Sequence, residues 1–292
     1  MPAMMDASTP QVWREEGPLG RWLSAWWRPP MLAQAVSLVW SFDGVVHTAR
    51  ERVFPDGAVE LIVQLGARHR SVLDDGFRNG YPALCFSGLR SAPEVVEAPE
   101  GRTVVVGVRL TPLGAQAVLR GAHTEAGNLT LDLEAALGAA ARELADALAD
   151  ARGPVAQLQA AARWVAARCR AAPPADPSVA WVCAQIECSR GRVPIGALCE
   201  RAGLSPTRLP ARFKAQVGVT PKHYARIARF RHALELLGHA PAAPSLAAVA
   251  ADAGYADQPH FNAEFRAFAG MSPGAYLQAR RYPNSPSLAE GG

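Results

Sequence analysis

An α+β chain is what the 292 residues predict: a β-rich, barrel-like N-terminal domain, two helices behind it, and an all-helical C-terminal domain. Three observations predict it. Short runs of β-branched and aromatic residues, punctuated by Gly, Pro, Asp and Asn, fill roughly the first 125 positions. After Asn128 the apolar residues recur at helical spacing. Residues 171–178 (AAPPADPS) then carry three prolines in eight positions and read as a linker. The expected boundaries are 1–128 for the β-rich domain, 129–170 for the helical pair, 171–178 for the linker, 179–281 for the last domain and 282–292 for a disordered tail.

In the first domain, residues 36–42 (VSLVWSF), 59–65 (VELIVQL), 84–86 and 104–110 (VVVGVRL) are the strand candidates. Pro55-Asp56-Gly57 and Asn79-Gly80 are the turn signals between them. Several short strands with such turns suggest a barrel or sandwich. Residues 131–148 then place Leu133, Leu137, Leu144 and Leu148 at helical spacing, with Asp132 or Thr130 as cap. Gly153-Pro154 ends that helix, and a second runs over about residues 155–169. The pair either covers the core of the β domain or forms a dimer surface; dimerisation is the role assigned to it.

Composition narrows the function classes. Hydrophobic residues at 49% and charged residues at 19% fit a globular chain rather than a disordered one. The start, MPAMMDASTP, lacks the basic cluster and apolar run of a signal peptide. No apolar stretch reaches the roughly 18 residues of a spanning helix, so a cytoplasmic chain with no membrane partner is expected. Cys85, Cys169, Cys183, Cys188 and Cys199 are odd in number and irregularly spaced, and read as buried small hydrophobes rather than disulfides or metal ligands. The net charge of +4 is unevenly spread. Residues 178–281 hold 13 Lys and Arg against 6 Asp and Glu, whereas residues 1–177 hold 17 against 19. A basic excess confined to the last domain is the footprint of a polyanion partner, or simply of a solvated basic surface.

An internal repeat separates those two readings. Phe213, Gly218, Pro221 and Tyr224 recur 52 positions later as Phe265, Gly270, Pro273 and Tyr276, as do the N-cap residues Ser205 and Asp257. Upstream, LCERAG at 198–203 matches VAADAG at 249–254. Each copy has helix-turn-helix logic. A short amphipathic helix spans 195–202 or 246–253, with small Cys199 or Ala250 where helices approach. Gly203 or Gly254 permits the positive φ of the tight turn. Ser205 or Asp257 caps a second helix, 205–216 or 257–269, and Leu209 with Phe213, like Phe261 with Phe265, faces the core. Residues 222–237 form one helix between the units. A duplicated hairpin in a plain helical bundle is the bland alternative, and the matched caps, glycines and phenylalanines together with the basic charge argue against it.

At these residues the chain resembles the AraC/XylS family of transcription regulators, over about residues 180–281. GLSPTRLPARFKAQVGVTPKHY followed by GYADQPHFNAEFRAFAGMSPGAY carries both family signatures in order. The resemblance implies seven helices and two recognition helices that enter successive major grooves of double-stranded DNA. FPDGAVELIVQLG and VVVGVRLTPLGAQAVL more faintly resemble N-terminal sensor domains of an uncharacterised subgroup, and imply no known ligand. On this reading the chain is a sequence-specific DNA-binding transcription regulator, open to a small-molecule effector, a homodimer partner and, for an activator, RNA polymerase.

Side chains near the start of each recognition helix are expected to reach base edges: Thr207, Arg208 and Arg212 in the first, Gln258, His260 and Asn262 in the second. Arg reads guanine and Gln or Asn reads adenine, while phosphate contact is the alternative for the two arginines and for His260. Lys214, Arg226, Arg229 and Arg266 are the phosphate candidates. Pro210 departs from the family pattern and either kinks the first recognition helix or shifts its start. Ala211 and Ala263 stand where relatives place Arg. Glu264, if exposed, repels phosphate, so the second unit is expected to orient more than it reads. No catalytic or cofactor motif appears: GxSxG, P-loop and GxGxxG are absent. His47, His69 and His123 with Asp56, Glu60, Asp74 and Asp75 keep open a metal-binding or small-molecule-processing N-terminal domain, without HxH or HExxH spacing. Trp22, Trp26, Trp27 and Trp40 either pack a core or line a ligand pocket.

Overall fold

Strand pairing follows the alternation of apolar residues, and it divides the β-rich half into two antiparallel sheets. The computed structural model describes residues 8–17, 20–47, 50–73, 76–239, 244–280 and 287–290. Its strands are β1 (Gln11–Gly17), β2 (Gly20–Trp27), β3 (Val36–Val46), β4 (Arg50–Val53), β5 (Val59–Gln64), β6 (Arg70–Val72), β7 (Arg78–Gly80), β8 (Leu84–Ser87), β9 (Glu94–Glu97), β10 (Thr103–Leu110), β11 (Thr130–Asp132) and β12 (Ser287–Glu290). One sheet has the order β1-β2-β3-β10-β5-β8-β11, the other β12-β4-β9-β6-β7. The central strands β3, β10 and β5 contain the four β-branched runs' longest members. Of their two faces, one turns Val39, Val59, Leu61, Val63, Val106, Val108 and Leu110 into the main core.

The opposite face is partly polar. Register sets Leu38, Arg109, Glu60, Ser87 and Thr130 in one row across five strands. Trp40 lies across Gly107, where a methyl group would meet the indole at 2.1 Å. Its Nε1 donates to Glu60 at 2.7 Å. Burial nevertheless pushes the Glu60 carboxyl above its ordinary range. The other tryptophans pack: Trp26 clusters with Leu38 and Trp40, Trp22 lies against Phe42, and Trp27 donates to the Ser8 carbonyl.

Helices α1 (Pro112–Leu119), α2 (Ala122–Ala126), α3 (Leu133–Leu137), α4 (Ala139–Asp150) and α5 (Pro154–Arg170) follow the large sheet. Leu144, Leu148, Leu158, Ala161 and Val165 join the sheet's apolar face in one core, so α4 and α5 cover the β domain. The continuous helix expected over 131–148 is broken. Thr130 to Asp132 is a strand, Asp132 caps α3 at Ala135, and Gly138 at φ 56° separates α3 from α4. Asn79-Gly80 lies in β7 rather than in a turn. The tail assigned as disordered contains β12, which pairs with β4 and buries Leu288; residues 281–286 lie outside the described residues, as do Asp74 and Asp75. Cys85, Cys183 and Cys199 are buried, but Cys188, the last residue of α6 (Pro177–Cys188), is exposed and Cys169 is half-buried.

The C-terminal helices continue with α7 (Ile195–Arg201), α8 (Arg208–Val217), α9 (Pro221–His239), α10 (Leu246–Ala253), α11 (Gln258–Ala269) and α12 (Pro273–Ala279). With α6 these are seven. The proline-rich 171–176 stretch is a bend, not a spacer between separate bodies. Leu198, Leu209, Phe213 and Val217 of the first helix-turn-helix unit share one core with Val118, Leu119 and Ala126 of the N-terminal half. At that seam His123, 2% exposed, holds the Gln216 carbonyl at 2.8 Å through Nε2. Nε2 is then the donor, which leaves Nδ1 unprotonated and without a partner among the described residues.

Burial holds the His123 imidazole below its ordinary pKa, more than the carbonyl contact raises it. The unfolded chain therefore takes up the proton first as pH falls, and stability declines below about pH 6.5. His123→Gln keeps a donor for the carbonyl and removes the titration. The variant is expected to lose about 1 kcal/mol at pH 7.5 and to flatten the fall in urea midpoint between pH 7.5 and 5. His69, His223 and His232, held low mainly by burial, retain part of that slope.

Candidate nucleic-acid interface

Each unit is assembled around a glycine turn. Gly203 and Gly254 adopt φ of 64° and 85°, the left-handed region that ends α7 and α10. Asp257 caps α11 by accepting the His260 N–H at 2.7 Å. In the first unit Ser205 accepts the Arg208 N–H at 3.2 Å, but the helix begins only at Arg208. Pro210 therefore falls in the first turn, where its missing N–H is tolerated, and the shifted start replaces a kink. Leu209, Phe213, Phe261 and Phe265 are fully buried and hold the two recognition helices, α8 and α11, by the same face.

The opposite faces are open. Thr207, Arg208, Ala211, Arg212 and Lys214 are exposed on α8, and His260, Ala263 and Arg266 on α11. Gln258 and Asn262 are half-buried, and the Asn262 Oδ1 has no partner among the described residues. His260 stands edge-on to Tyr255 at 5.4 Å. The base-edge candidates thus share the exposed side of each helix, with Asn262 turned partly inward.

At one repeat position the two units carry opposite charge. Arg212 and Glu264 are 52 residues apart, as are the matching phenylalanines. Arg212 is 53% exposed and pairs with Asp176, the cap of α6, at 3.2 Å. Glu264 is 5% exposed and points inward, so it does not confront a phosphate. Arg226 on α9 donates to it at 2.7 Å, and Arg229 lies at 3.7 Å. The same guanidinium groups stack, Arg226 on Phe268 at 5.2 Å and Arg229 on Tyr255 at 5.6 Å. Two of the four phosphate candidates are thereby tied to the protein, while Lys214 and Arg266 are free of ion pairs within 4.0 Å among the described residues. This network escapes sequence reading because its spacing, 226 and 229 against 264, belongs to no local period.

Comparison with known proteins adds to this geometry. Residues 198–279 match the family described as Helix-turn-helix domain. That match lies within the C-terminal third of the chain and spans both units. Residues 29–132 match Domain of unknown function (DUF6597). The chain is similar to the HTH-type transcriptional activator RhaR of Pectobacterium atrosepticum, 38% identical over 82 residues. The RhaR of Klebsiella pneumoniae is 36% identical over 83 residues. These matches cover 28% of this chain and 28% or 29% of those proteins, so the chain spans under a third of the length of the curated relatives. Among solved structures, ToxT from Vibrio cholerae O395 aligns at 9% identity and a TM-score of 0.44, covering 82% of this chain and 97% of that one. The C-terminal domain of AraT, a response regulator from Geobacillus stearothermophilus, aligns at 24% identity and 0.34, covering 36% and 87%.

Glu264→Ala leaves two half-buried guanidinium groups without their carboxylate. The expected loss is about 1–3 kcal/mol of stability in urea unfolding. Pairing it with Arg226→Ala should recover part of that loss in a double-mutant cycle. Additive losses would mean the contact carries no coupling energy.

Proposed function

We propose that the chain is a sequence-specific DNA-binding transcription regulator whose N-terminal domain adjusts that binding. The observation that carries the reading is the pair of capped recognition helices, each buried by its phenylalanine face with the polar face left open. The basic excess of residues 178–281 adds the attraction to phosphate. Thr207, Arg208 and Arg212 read base edges from α8, and Gln258, His260 and Asn262 from α11. Lys214 and Arg266 hold phosphates. Arg226 and Arg229 serve phosphates only through N–H groups that Glu264 leaves unused, since a guanidinium has five. With Gln258 and Asn262 half-buried and Glu264 turned inward, the second unit offers fewer fully exposed side chains for direct reading than the first.

The polar row around Glu60 and Arg109 is the place in the N-terminal domain where a small-molecule effector finds charged partners. RNA polymerase is the further partner if the chain, like its relatives by name, activates transcription. Pairing of two copies would use a surface other than the apolar stripe of α4 and α5, which the β sheet occupies. A metal-dependent N-terminal chemistry has less support: among the described residues no group of three or more His, Cys, Asp and Glu converges. No helix among the described residues is long and apolar enough to cross a membrane.

Selection of duplexes from a random library by the full chain tests the reading. Enrichment of a defined motif, with affinity that falls steeply between low and moderate salt, is the expected result. On the enriched duplex Arg208→Ala should cost roughly 1–3 kcal/mol and relax preference at one base pair, whereas Lys214→Ala should weaken all duplexes alike and shallow the salt slope. Recovery of no motif at low salt would sink the regulator reading.

A further inference from the structure

The second unit's core is not built from the C-terminal domain alone. Among the described residues it comprises positions between Ile227 and Tyr276, plus two from elsewhere: Phe54 and Leu288. Phe54 begins the strand-to-strand connection from β4 into β5 and is 2% exposed. Its ring stands edge-on to Phe230 at 6.3 Å and to Tyr276 at 5.9 Å. Phe230 in turn contacts Phe265 and Phe268 of the recognition helix α11. One N-terminal side chain therefore reaches the helix that faces DNA through a single intervening ring.

The backbone behind Phe54 is fixed as well. Asp56 accepts the Ala58 N–H at 3.0 Å in an Asx turn, and Gly57 at φ 77° completes it. The turn lies on the middle of α9, with a Cβ at Gly57 falling 3.5 Å from both Ile227 and Tyr224. Arg231 of α9 donates to the Asp56 carbonyl at 3.0 Å and also pairs with Glu187 of α6. Tyr224 donates to that same Glu187 at 2.6 Å. The Asp56 carboxylate pairs with Arg109 of β10. Arg109 is the cross-strand neighbour of Glu60. A chain of direct contacts thus runs from the polar face of the large sheet, through residues 54–57, to the helix that joins the two units.

We propose that the 54–57 loop is a positioning element for DNA binding: Phe54 sets the second unit, and Asp56 with Arg231 sets α9, so that α11 is held in register with α8. This rests on the DNA-binding reading and names how the N-terminal domain acts on it. The loop's contacts described above fall on α9 and in the second unit's core, so its effect is on the placement of the second unit and not on base contacts. Positions whose only role is general stability would weaken both units together.

The test is hydroxyl-radical footprinting of the full-length chain on a duplex that the wild type enriches from a random library. The wild type should protect two segments about one helical turn apart. The segment weakened by Arg208→Ala marks the first unit. Phe54→Ala should retain that segment, lose the other, and bind on the order of tenfold to a hundredfold more weakly. Phe54→Leu, which refills the seat, should restore most of the second segment. Arg231→Gln guards against a misfolded Phe54→Ala: it removes the guanidinium that ties α9 to the Asp56 carbonyl and leaves Phe54 seated. It should weaken the second segment alone. Equal loss of both segments in these variants, or wild-type protection of both, overturns the proposal. Enrichment of no duplex by the wild type would instead defeat the DNA-binding reading, and this inference with it.

Discussion

The rest of the structure depends on a single helix having to bury apolar side chains on two sides. Tyr224, Ala225 and Ala228 of α9 belong to the main core, and Ile227, Phe230, Ala233, Leu234 and Leu237 to the second. A nineteen-residue helix used this way has little surface left for solvent. Its charged residues are therefore drawn into fixed contacts: Arg226 and Arg229 to Glu264, Arg231 to Glu187 and the Asp56 carbonyl. A buried guanidinium needs such partners, because desolvation without them is costly. The rigidity of the two-unit arrangement follows from satisfying one crowded helix.

Local signals carried the C-terminal domain a long way. Helices α7 and α10 begin and end within a residue of their expected limits, because the glycine turns and the apolar period agree there. The start of α8 moved from Ser205 to Arg208 because a proline at 210 fits only the first turn. The β half was less legible. The long central strands follow from their β-branched runs, whereas β1 (QVWREEG) is an edge strand with charged residues on both sides and shows no alternation. Asn79-Gly80 has turn chemistry but is paired in a sheet. Neither the Phe54 seat nor the Glu264 network was legible. Each joins residues far apart in sequence, and such pairs leave no period to detect.

The repeat also conceals a difference. Duplicated phenylalanines, glycines and prolines give both units one scaffold, yet Arg212 and Glu264 occupy the same place with opposite charge and opposite exposure. What differs is the neighbour. The first unit meets Asp176 at the end of the linker, at the protein surface, and the second meets two arginines on a packed helix. A basic side chain at the first site stays available for a ligand, and an acidic one at the second becomes internal structure. Divergence of the two copies thus left one site open and made the other internal, on a shared pattern of phenylalanines and glycines.

Strand β12 has a consequence of a different kind. By pairing with β4 and burying Leu288, it returns the far side of the helical domain to the N-terminal sheets. That domain is then held at both ends, by α5 and the bend at 171–176 on one side and by a hydrogen-bonded clasp on the other. If the contact at residues 54–57 opened, the two halves would remain at high effective concentration, and reclosure would be an intramolecular event. A break in the chain near the bend would therefore leave the two pieces joined through β12 and the shared core.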